Sequence, residues 1–444
     1  MSQYRAYPAY KDSGIEWIGQ VPEHWKIAQI KRISALNPRK STLSEEKDSL
    51  CTFLPMEKLR TNAVTLDETR PIHEVYGGYS YFCDGDILIA KVTPCFENGN
   101  IAIANGLVNG IGFGSTEINV LRVNGKGHNR FLYYRLQEEQ FRTIAKSEMR
   151  GTGGLKRVPT DLFESFTIGL PDTDEQATIA ATLDRETARI DALIEKKTRF
   201  IELLKEKRQA LITHAVTKGL DRNAKMKDSG IEWIGQVPEH WEATKLKHVA
   251  AFSGGGTPSK ENPDYWNGCI PWVSPKDMKH EVITDSIDHI TTKGLENSAT
   301  KLIDSGAVLL VARSGILRHT IPVGINNVPV SLNQDMKALS LDETRVRPRF
   351  ILRWVQGLNR SLLGIWAKEG ATVESLEHEY VANTRLPLPD LKEQDAILAT
   401  LDLETARIDA LISKSEQSIT LLKERRAAFI TAAVTGQIDL RGKQ

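Results

Sequence analysis

The feature of this sequence that most restricts its fold is an internal duplication. Residues 11–25 read KDSGIEWIGQVPEHW, and residues 227–241 repeat the same fifteen letters at an offset of 216. A second pair, residues 170–217 and 388–435, matches closely at an offset of 218. A repeat of this length requires the chain to build one structural plan twice, so the duplication takes precedence over every weaker signal.

Between the copied segments lie two blocks that resemble each other little. Residues 26–158 and 242–376 have similar lengths but different sequences. The copied frame must therefore do one task twice, while the inserts do related tasks on different targets. We predict an N-terminal motif (1–25), a first domain (26–171), a first long helix (172–219), a linker with the second motif (220–241), a second domain (242–388), a second long helix (389–436) and a tail (437–444).

The second repeated segment predicts a long helix in each copy. Each copy opens with Pro-Asp-x-x-Glu-Gln, in which Asp172 or Asp390 can accept hydrogen bonds from the free N–H groups of the first turn. Gly219 and Gly436 stand where a glycine would end the two helices. Some 40 residues at ~1.5 Å each predict rods of roughly 60 Å.

Apolar side chains recur every seven residues along both helices, and this period is typical of a coiled coil. Polar residues interrupt the seams at matching places, Lys197 with Ser415 and Arg208 with Arg426, and such residues can set the register. We expect the helices to pack on each other as an antiparallel, pseudo-twofold pair; the alternative is that each packs on its own domain. The seam positions are Leu183, Ile190, Ile194, Ile201, Leu204, Leu401, Ile408, Ile412, Ile419 and Leu422.

Both blocks predict a mixed α/β (α+β) fold with short strands. In each block a buried strand (86–92 or 306–312) precedes a polar loop and another strand (101–104 or 321–324). The later elements are predicted helices at 129–147 and 349–368 and segments containing Gly and Thr at 150–159 and 369–374.

The loops of both blocks carry side chains suited to nucleic acid. Arg and Lys pair with guanine edges, Asn and Gln pair with adenine edges, and glycine-rich backbone reaches phosphates. Any one of these residues taken alone is more often a solvated loop side chain, but as a set they predict DNA contact. The candidates are Lys91, Thr93, Asn98, Asn100, Arg150, Lys156, Arg157, Thr257, Ser259, Ser274, Lys276, Arg313, Ser314, Arg318, His319, Gln334 and Thr372.

The overall charge argues against a nucleic-acid partner. The chain carries 58 Lys and Arg against 57 Asp and Glu, which excludes a basic tail binder and an acidic disordered protein. The average hides a local difference, because residues 26–158 carry 19 basic and 14 acidic residues whereas residues 242–380 carry 16 of each.

The sequence also argues against several other classes of protein. No run of ~18 apolar residues predicts a membrane span, and the polar start MSQYRAYPAYKDSG lacks the apolar core of a secretion signal. The four cysteines have neither CxxC spacing nor His partners, so we expect no metal site and a reducing cytosol.

Three short motifs have weaker interpretations. The stretch 253–259, SGGGTPS, lacks the Gly-Lys-Ser/Thr ending of a phosphate loop. Trp266 and Trp272 could stack on bases, but core packing is the commoner role of such residues. Residues 262–265, NPDY, lack the second proline of an amino-methyltransferase motif, so we expect no catalytic residue in this chain.

The sequence resembles the specificity subunit of type I restriction–modification systems. The resemblance covers essentially the whole chain, although the first block departs further from the family pattern than the second. It is carried by the copied KDSGIEWIGQVPEHW, by GGGTPSKENPDYWNGCIPWVSPKDM, by AVLLVARSGILRHTIPVGI with NQDMKAL after it, and by LPDxxEQ followed by LDxETARIDALI.

The resemblance implies a subunit without catalysis of its own, in the cytoplasm of a prokaryote. Its two target-recognition domains would each read half of a bipartite, asymmetric site in double-stranded DNA, with the helices setting the gap. It would bind no cofactor and would recruit two methyltransferase subunits, which use S-adenosylmethionine, and two restriction–translocase subunits. Trp17 and Trp233, in the copied motifs, are the candidates for partner docking.

Two alternatives of other classes stay open at this point. One is a self-contained methyltransferase or nuclease, and the other is a protein-binding scaffold built on a coiled coil. The scaffold would explain the helices but not two divergent α/β blocks with polar loops.

Overall fold

The computed structural model describes residues 4–43, 46, 48–152, 154–368 and 373–442. The chain divides near the middle of its two long helices. The first unit comprises Met1–Thr198 with Gln417–Gln444, and the second unit comprises Arg199–Glu416. Each unit therefore contains one variable block and a part of both helices.

The first unit is made of short strands and short helices. They are β1 (Tyr10–Asp12), β2 (Gln20–Pro22), β3 (Lys26–Gln29), β4 (Ser34–Leu36), β5 (Leu50–Leu54), β6 (Leu59–Arg60), β7 (Ala63–Val64), β8 (Thr69–Pro71), α1 (Ile72–Val75), β9 (Ser80–Cys83), β10 (Ile87–Ala90), β11 (Ile101–Ile103), β12 (Ile111–Gly114), β13 (Ile118–Val123), α2 (Asn129–Arg135), α3 (Glu139–Ser147), β14 (Arg150–Thr152), β15 (Leu155–Arg157), α4 (Thr160–Ser165) and β16 (Thr167–Leu170). The long helix α5 (Thr173–Lys218) follows.

The second unit has the same kinds of element. They are β17 (Met226–Asp228), β18 (Gln236–Pro238), β19 (Glu242–Lys245), β20 (Ala250–Gly254), β21 (Trp266–Val273), β22 (Val282–Ile283), β23 (Asp288–Ile290), α6 (Thr292–Glu296), β24 (Val308–Val311), β25 (Val323–Asn326), β26 (Ser331–Leu332), β27 (Met336–Leu341), α7 (Pro348–Gly357), α8 (Asn359–Trp366), α9 (His378–Asn383) and β28 (Arg385–Leu388). The long helix α10 (Leu391–Val434) follows, and its residues from Gln417 onward belong to the first unit.

The central sheets of the two units share one topology despite their different sequences. The first unit has the antiparallel order β11-β10-β13-β4, and the second has β25-β24-β27-β20 with β22 added at one edge. The strands β10 and β24 are buried along their whole length, as their continuous apolar sequences predict. Each unit also contains a second sheet with one parallel pair, β5 with β12 and β21 with β26.

The expected mixed α/β fold with two long helices is confirmed. The carboxylate of Asp172 accepts from the N–H of Glu175 at 2.9 Å, and Asp390 accepts from Glu393 at 2.8 Å, so both helices have the predicted cap. Gly219 and Gly436 follow the helices with φ of 70° and 76°, a left-handed conformation that favours glycine.

The two helices pair in the antiparallel sense within each unit. In the first unit Arg426 lies 2.9 Å from Asp191, and in the second unit Arg208 lies 3.0 Å from Asp409. Arg208 and Arg426 are corresponding residues of the two copies, as are the two aspartates, so the pairing is reciprocal. The two arginines that interrupt the seams thus form ion pairs between the helices.

The helices predicted within the blocks are each interrupted. The segment 129–147 is two helices, because the Glu138 side chain accepts hydrogen bonds from the N–H groups of Gln140 and Phe141 and starts α3 anew. The segment 349–368 breaks after Gly357, where a side chain would meet Ile212 and Val216 of α5 at 3.1 Å. Local helix preference therefore yields to capping in one block and to tertiary packing in the other.

Candidate nucleic-acid interface

Two predicted loop regions of the first unit lie against each other. The loop after β10 contacts the β14–β15 hairpin through Thr93, whose hydroxyl donates to the carbonyl of Gly154 at 2.7 Å and accepts from the N–H of Lys156 at 3.0 Å. A β-bridge joins Val92 to Arg157. The fold thus brings Lys91, Thr93, Lys156 and Arg157 together from segments about sixty residues apart.

The Arg157 guanidinium is held by a carboxylate. Its Nε donates to Glu117 Oε2 at 2.9 Å, and its Nη2 donates to Glu117 Oε1 at 2.6 Å. These hydrogen bonds, opposed by partial burial of the carboxyl, hold the pKa of Glu117 below its ordinary value. The Arg157 side chain is still 49% exposed, so the pair lies at the surface.

The other candidates of the first unit have mixed surroundings. Asn98 is exposed, and Arg150 is 76% exposed at 3.6 Å from Glu148. Asn100 is only 6% exposed, so this conformation does not present its amide to a ligand. None of these placements tests DNA contact, which stays a prediction for each residue.

The second unit has a corresponding cluster after β24. Arg313 Nε donates to Asp335 Oδ1 at 2.7 Å, and Arg318 Nε donates to Glu374 Oε1 at 2.6 Å. The Ser314 hydroxyl accepts from the N–H of Ile316 and starts a 3-10 turn that carries Arg318. The hydrogen bond with Arg318 and that with its own backbone lower the pKa of Glu374.

The remaining candidates of the second unit have varied surroundings, and one lies outside the described residues. The Thr257 hydroxyl donates to Gln334, which is exposed. Ser274 is buried, and its hydroxyl donates to Asp277 at 2.8 Å. The side chains of Ser259, Lys276 and His319 are exposed. Thr372 lies outside the residues that the structure describes.

A cleft of about 910 Å³ adjoins this cluster in the second unit. Arg318 and His319 line it on one side, and Trp233 of the copied motif lines it on another. Lys279 and Arg360 add further cationic side chains to its wall. The cleft is therefore open, polar and partly basic.

Sequence reasoning missed the acidic members of the clusters. Glu117, Asp335 and Glu374 were not candidates because carboxylates repel phosphates. A signal was available, since Glu117 and Asp335 each directly precede a corresponding strand, β13 or β27. Arg142 was also missed; its Nη2 donates to the carbonyls of Phe96 and Glu97 and holds the loop after β10.

In both units a histidine of the copied motif contacts the first-turn glutamate of a copied helix. His24 Nε2 lies 2.8 Å from Glu175 Oε2, and His240 Nε2 lies 2.8 Å from Glu393 Oε2. Trp17 is 44% exposed and stacks at 6.3 Å on Phe166, whereas Trp233 is half-buried and 6.5 Å from Trp354. The seam residues are buried (Leu183, Ile190, Ile201, Leu204, Leu401, Ile408) or half-buried (Ile194, Ile412, Ile419, Leu422).

Trp272 is a core residue, as expected. It is 6% exposed, and its indole Nε1 donates to the carbonyl of Gly256 at 2.9 Å. Trp266 packs edge-on against it at 5.1 Å.

No group of three or more His, Cys, Asp and Glu side chains in the described ranges could hold a metal ion. Within the same part of the chain, no helix has the length and apolar character needed to cross a membrane.

The comparisons with known proteins agree with this architecture. A family profile described as the type I restriction modification DNA specificity domain matches residues 22–203 and again residues 238–421. The specificity subunit of the type I restriction enzyme EcoR124I/EcoR124II of Escherichia coli is 31% identical over 225 residues, which are 50% of this chain and 48% of that protein. The EcoAI specificity subunit of the same organism is 37% identical over 163 residues, 36% of this chain and 27% of that protein. These matches thus span about half or less of the relatives' length.

A solved structure shows the same fold over nearly the whole chain. It comes from work on complex assembly and conformational transition of the type I R-M system, and it covers 94% of this chain and 99% of its own with a TM-score of 0.76 at 17% identity. The fold and the two loop clusters define a duplicated α/β protein with a candidate DNA-contact surface at an equivalent place in each unit. The chain belongs to the type I restriction modification DNA specificity domain family.

Proposed function

We propose that this chain is the non-catalytic DNA-specificity subunit of a type I restriction–modification complex in the prokaryotic cytoplasm. Each unit reads one half of a bipartite, asymmetric site in double-stranded DNA. One observation carries the proposal: two blocks with different sequences share one sheet topology and place polar, charged loops at corresponding positions. Equal folds with unequal loops are what two readers of unequal half-sites require.

The copied segments support two equivalent places for a partner. The ion pair or hydrogen bond between motif and helix start recurs at 2.8 Å in both units, so the two units present matching surfaces. Two copies of one methyltransferase subunit are the natural occupants, because equivalent surfaces bind equivalent partners. Those subunits bind S-adenosylmethionine and methylate adenine, and two restriction–translocase subunits complete the assembly.

The helices are proposed as the spacer between the half-sites. Helix α5 has 46 residues and α10 has 44, so each is about 65–70 Å long. One turn of B-DNA is about 34–36 Å. A rod of this length suits two half-sites that are one to two turns apart.

The proposal is tested by reconstituting the chain with a methyltransferase subunit and S-adenosylmethionine. Methylated adenines are then mapped on random DNA. The expected result is a two-part motif with a constant unread gap, and no methylation by the chain alone. A continuous motif, no motif, or activity without the partner would contradict the proposal.

A further inference from the structure

The two reading clusters contain a guanidinium–carboxylate pair at the same place. Glu117 directly precedes β13 and accepts from the N–H of Lys91 through its carbonyl at 2.9 Å. Asp335 directly precedes the corresponding strand β27, and its carbonyl accepts in the same manner from the N–H of Ala312 at 2.7 Å and also from that of Arg313 at 3.1 Å. The two carboxylates are therefore structurally equivalent.

The arginines that bind these carboxylates come from different segments. A β-bridge joins Val92 to Arg157 in the first unit, and the corresponding bridge joins Arg313 to Ser375 in the second. Arg157 thus stands on one side of the bridge, and Arg313 stands on the other. The same guanidinium–carboxylate pair thus occurs in both units, with the arginine supplied by different segments. We would not expect an incidental surface contact to recur in this way. Exposed pairs of this kind contribute little to stability, so a role in folding is a weak explanation.

The geometry leaves one edge of each guanidinium free. Arg157 uses Nε and Nη2 for Glu117, and Arg313 uses only Nε for Asp335. Among the described residues, no group accepts a hydrogen bond from Nη1 of Arg157 or from either Nη of Arg313. Their side chains are 49% and 53% exposed. Each carboxylate thus holds one side of a planar fork and leaves donors on the other side accessible.

The chemistry of the pair favours a base edge over a phosphate. A phosphate that approached the free donors would come close to the negative carboxylate and be repelled. Guanine offers two neutral acceptors, O6 and N7, which match the fork of an arginine. Because the fork is already oriented, less side-chain entropy is lost on binding.

We propose that Arg157 and Arg313 each read one guanine, one in each half-site, with Glu117 and Asp335 as the positioning residues. This inference rests on the proposed function and adds the base that each unit recognises. It predicts that both halves of the motif contain a G·C pair whose replacement is sensed by the unit in question.

The test uses the complete reconstituted complex and methylation of DNA libraries that vary at each motif position. Arg313→Ala should lower the preference for guanine at one position of one half-site by about 5- to 150-fold and leave the other half unchanged. Arg157→Ala should do the same in the other half. Lys293→Ala, which removes another exposed ion pair of the second unit, is the matched control and should change no preference.

Two further variants distinguish recognition of a guanine from phosphate binding and from a purely structural role. Arg313→Lys keeps the charge but loses the fork, so guanine preference should fall nearly as far as in Arg313→Ala. Asp335→Asn should weaken the preference less, and it should have no added effect in an Arg313→Ala background because the positioned group is gone.

The inference is wrong if these variants leave every base preference intact, or if they lower methylation of all sites equally with a shallower salt dependence. It is also wrong if a half-site of the natural chain contains no G·C pair. All three results retain a bipartite motif and dependence on the partner, whereas failure of the proposed function gives a continuous motif, no motif, or methylation without the partner.

Discussion

Arg135 of α2 and Arg353 of α7 are both buried, at 1% and 5% exposure. Arg135 forms an ion pair with Glu138, three residues away. Arg353 binds Glu281 at 2.8 Å and lies 3.5 Å from Asp402. Burial lowers the pKa of the Arg135 guanidinium, and the adjacent Glu138 carboxylate opposes this effect. Each block thus buries one arginine beside a carboxylate, although the two arginines do not occupy corresponding positions: Tyr134 binds Asp184 as Arg353 contacts Asp402.

Replacement of Glu138 should destabilise the first unit strongly. Glu138→Ala leaves the buried Arg135 without a partner and removes the cap of α3, so we expect a loss of about 3–5 kcal/mol in the free energy of unfolding. Urea unfolding followed by circular dichroism measures it. Adding Arg135→Met should restore much of the loss, because the unpaired charge is gone. Glu202→Ala, in an exposed pair with Arg199, is the control, and an equal effect in both would contradict the argument.

Docking of the C-terminal tail should weaken in acid. Asp439 accepts from Arg441 Nε at 2.9 Å and Nη2 at 2.7 Å, and these hydrogen bonds lower its pKa. A carboxyl whose pKa is lower in the folded state stabilises that state above its ordinary pKa of about 3.9. This contribution is lost as the pH falls through the lower folded value.

Hydrogen exchange of the Asp439 amide, which donates to the Arg5 carbonyl at 2.7 Å, reports on this docking. Asp439→Asn should speed the exchange at pH 7, and the difference from the natural chain should shrink below about pH 4. A difference that grew in acid would reverse the assigned sign.

At the scale of elements, identical sequences adopt identical local structures. The copied motifs form hairpins of the same register, Tyr10 opposite Pro22 and Met226 opposite Pro238. Their tryptophans nevertheless contact different residues, because each packs against a different block. Local pairing follows the motif itself, and side-chain surroundings follow the insert.

Shortening both helices together should shorten the unread gap of the DNA site. Deletion of residues 190–196 with the segment around Arg426, 421–427, removes one heptad from each helix and retains the Arg208–Asp409 pair. Seven residues correspond to about 10 Å, so the gap should shrink by up to about three base pairs with both half-sites retained. Methylation mapping measures it.

Deletion of residues 190–196 alone is the control for the matched deletion. It displaces the seams relative to each other and should alter the gap or abolish recognition. If both deletions left the unread gap unchanged, the helices would not be the spacer.

At the scale of the whole molecule, duplication allows one half to change while the other is retained. The second unit has its own core, in which Val308, Leu309, Phe350 and Trp354 of the block are fully buried together with residues of both copied helices. Exchange of residues 242–376 for the block of another family member should therefore alter one half of the methylated motif only. Mapping of methylated adenines tests this, and a change in both halves would mean that the blocks do not read independently.

Much of the architecture follows from the sequence alone. The duplication, the long capped helices with their heptads and the buried strands β10 and β24 all depend on near neighbours in the chain. Apolar periodicity, an Asp at the start of a helix and a Gly at its end act over one or two turns. These signals can therefore be recognised in the sequence without knowledge of the fold.

Only the tertiary structure decided which loop residues meet. Glu117 and Arg157 are forty residues apart, and their contact exists because β13 and β15 approach the same loop. The burial of Asn100 and the break after Gly357 likewise depend on distant elements. Such contacts arise from the packing of elements that are distant in the chain, so the types of the two residues alone do not predict them. The sequence thus determined that there are two divergent blocks in a copied helical frame, and the fold determined which side chains each block presents.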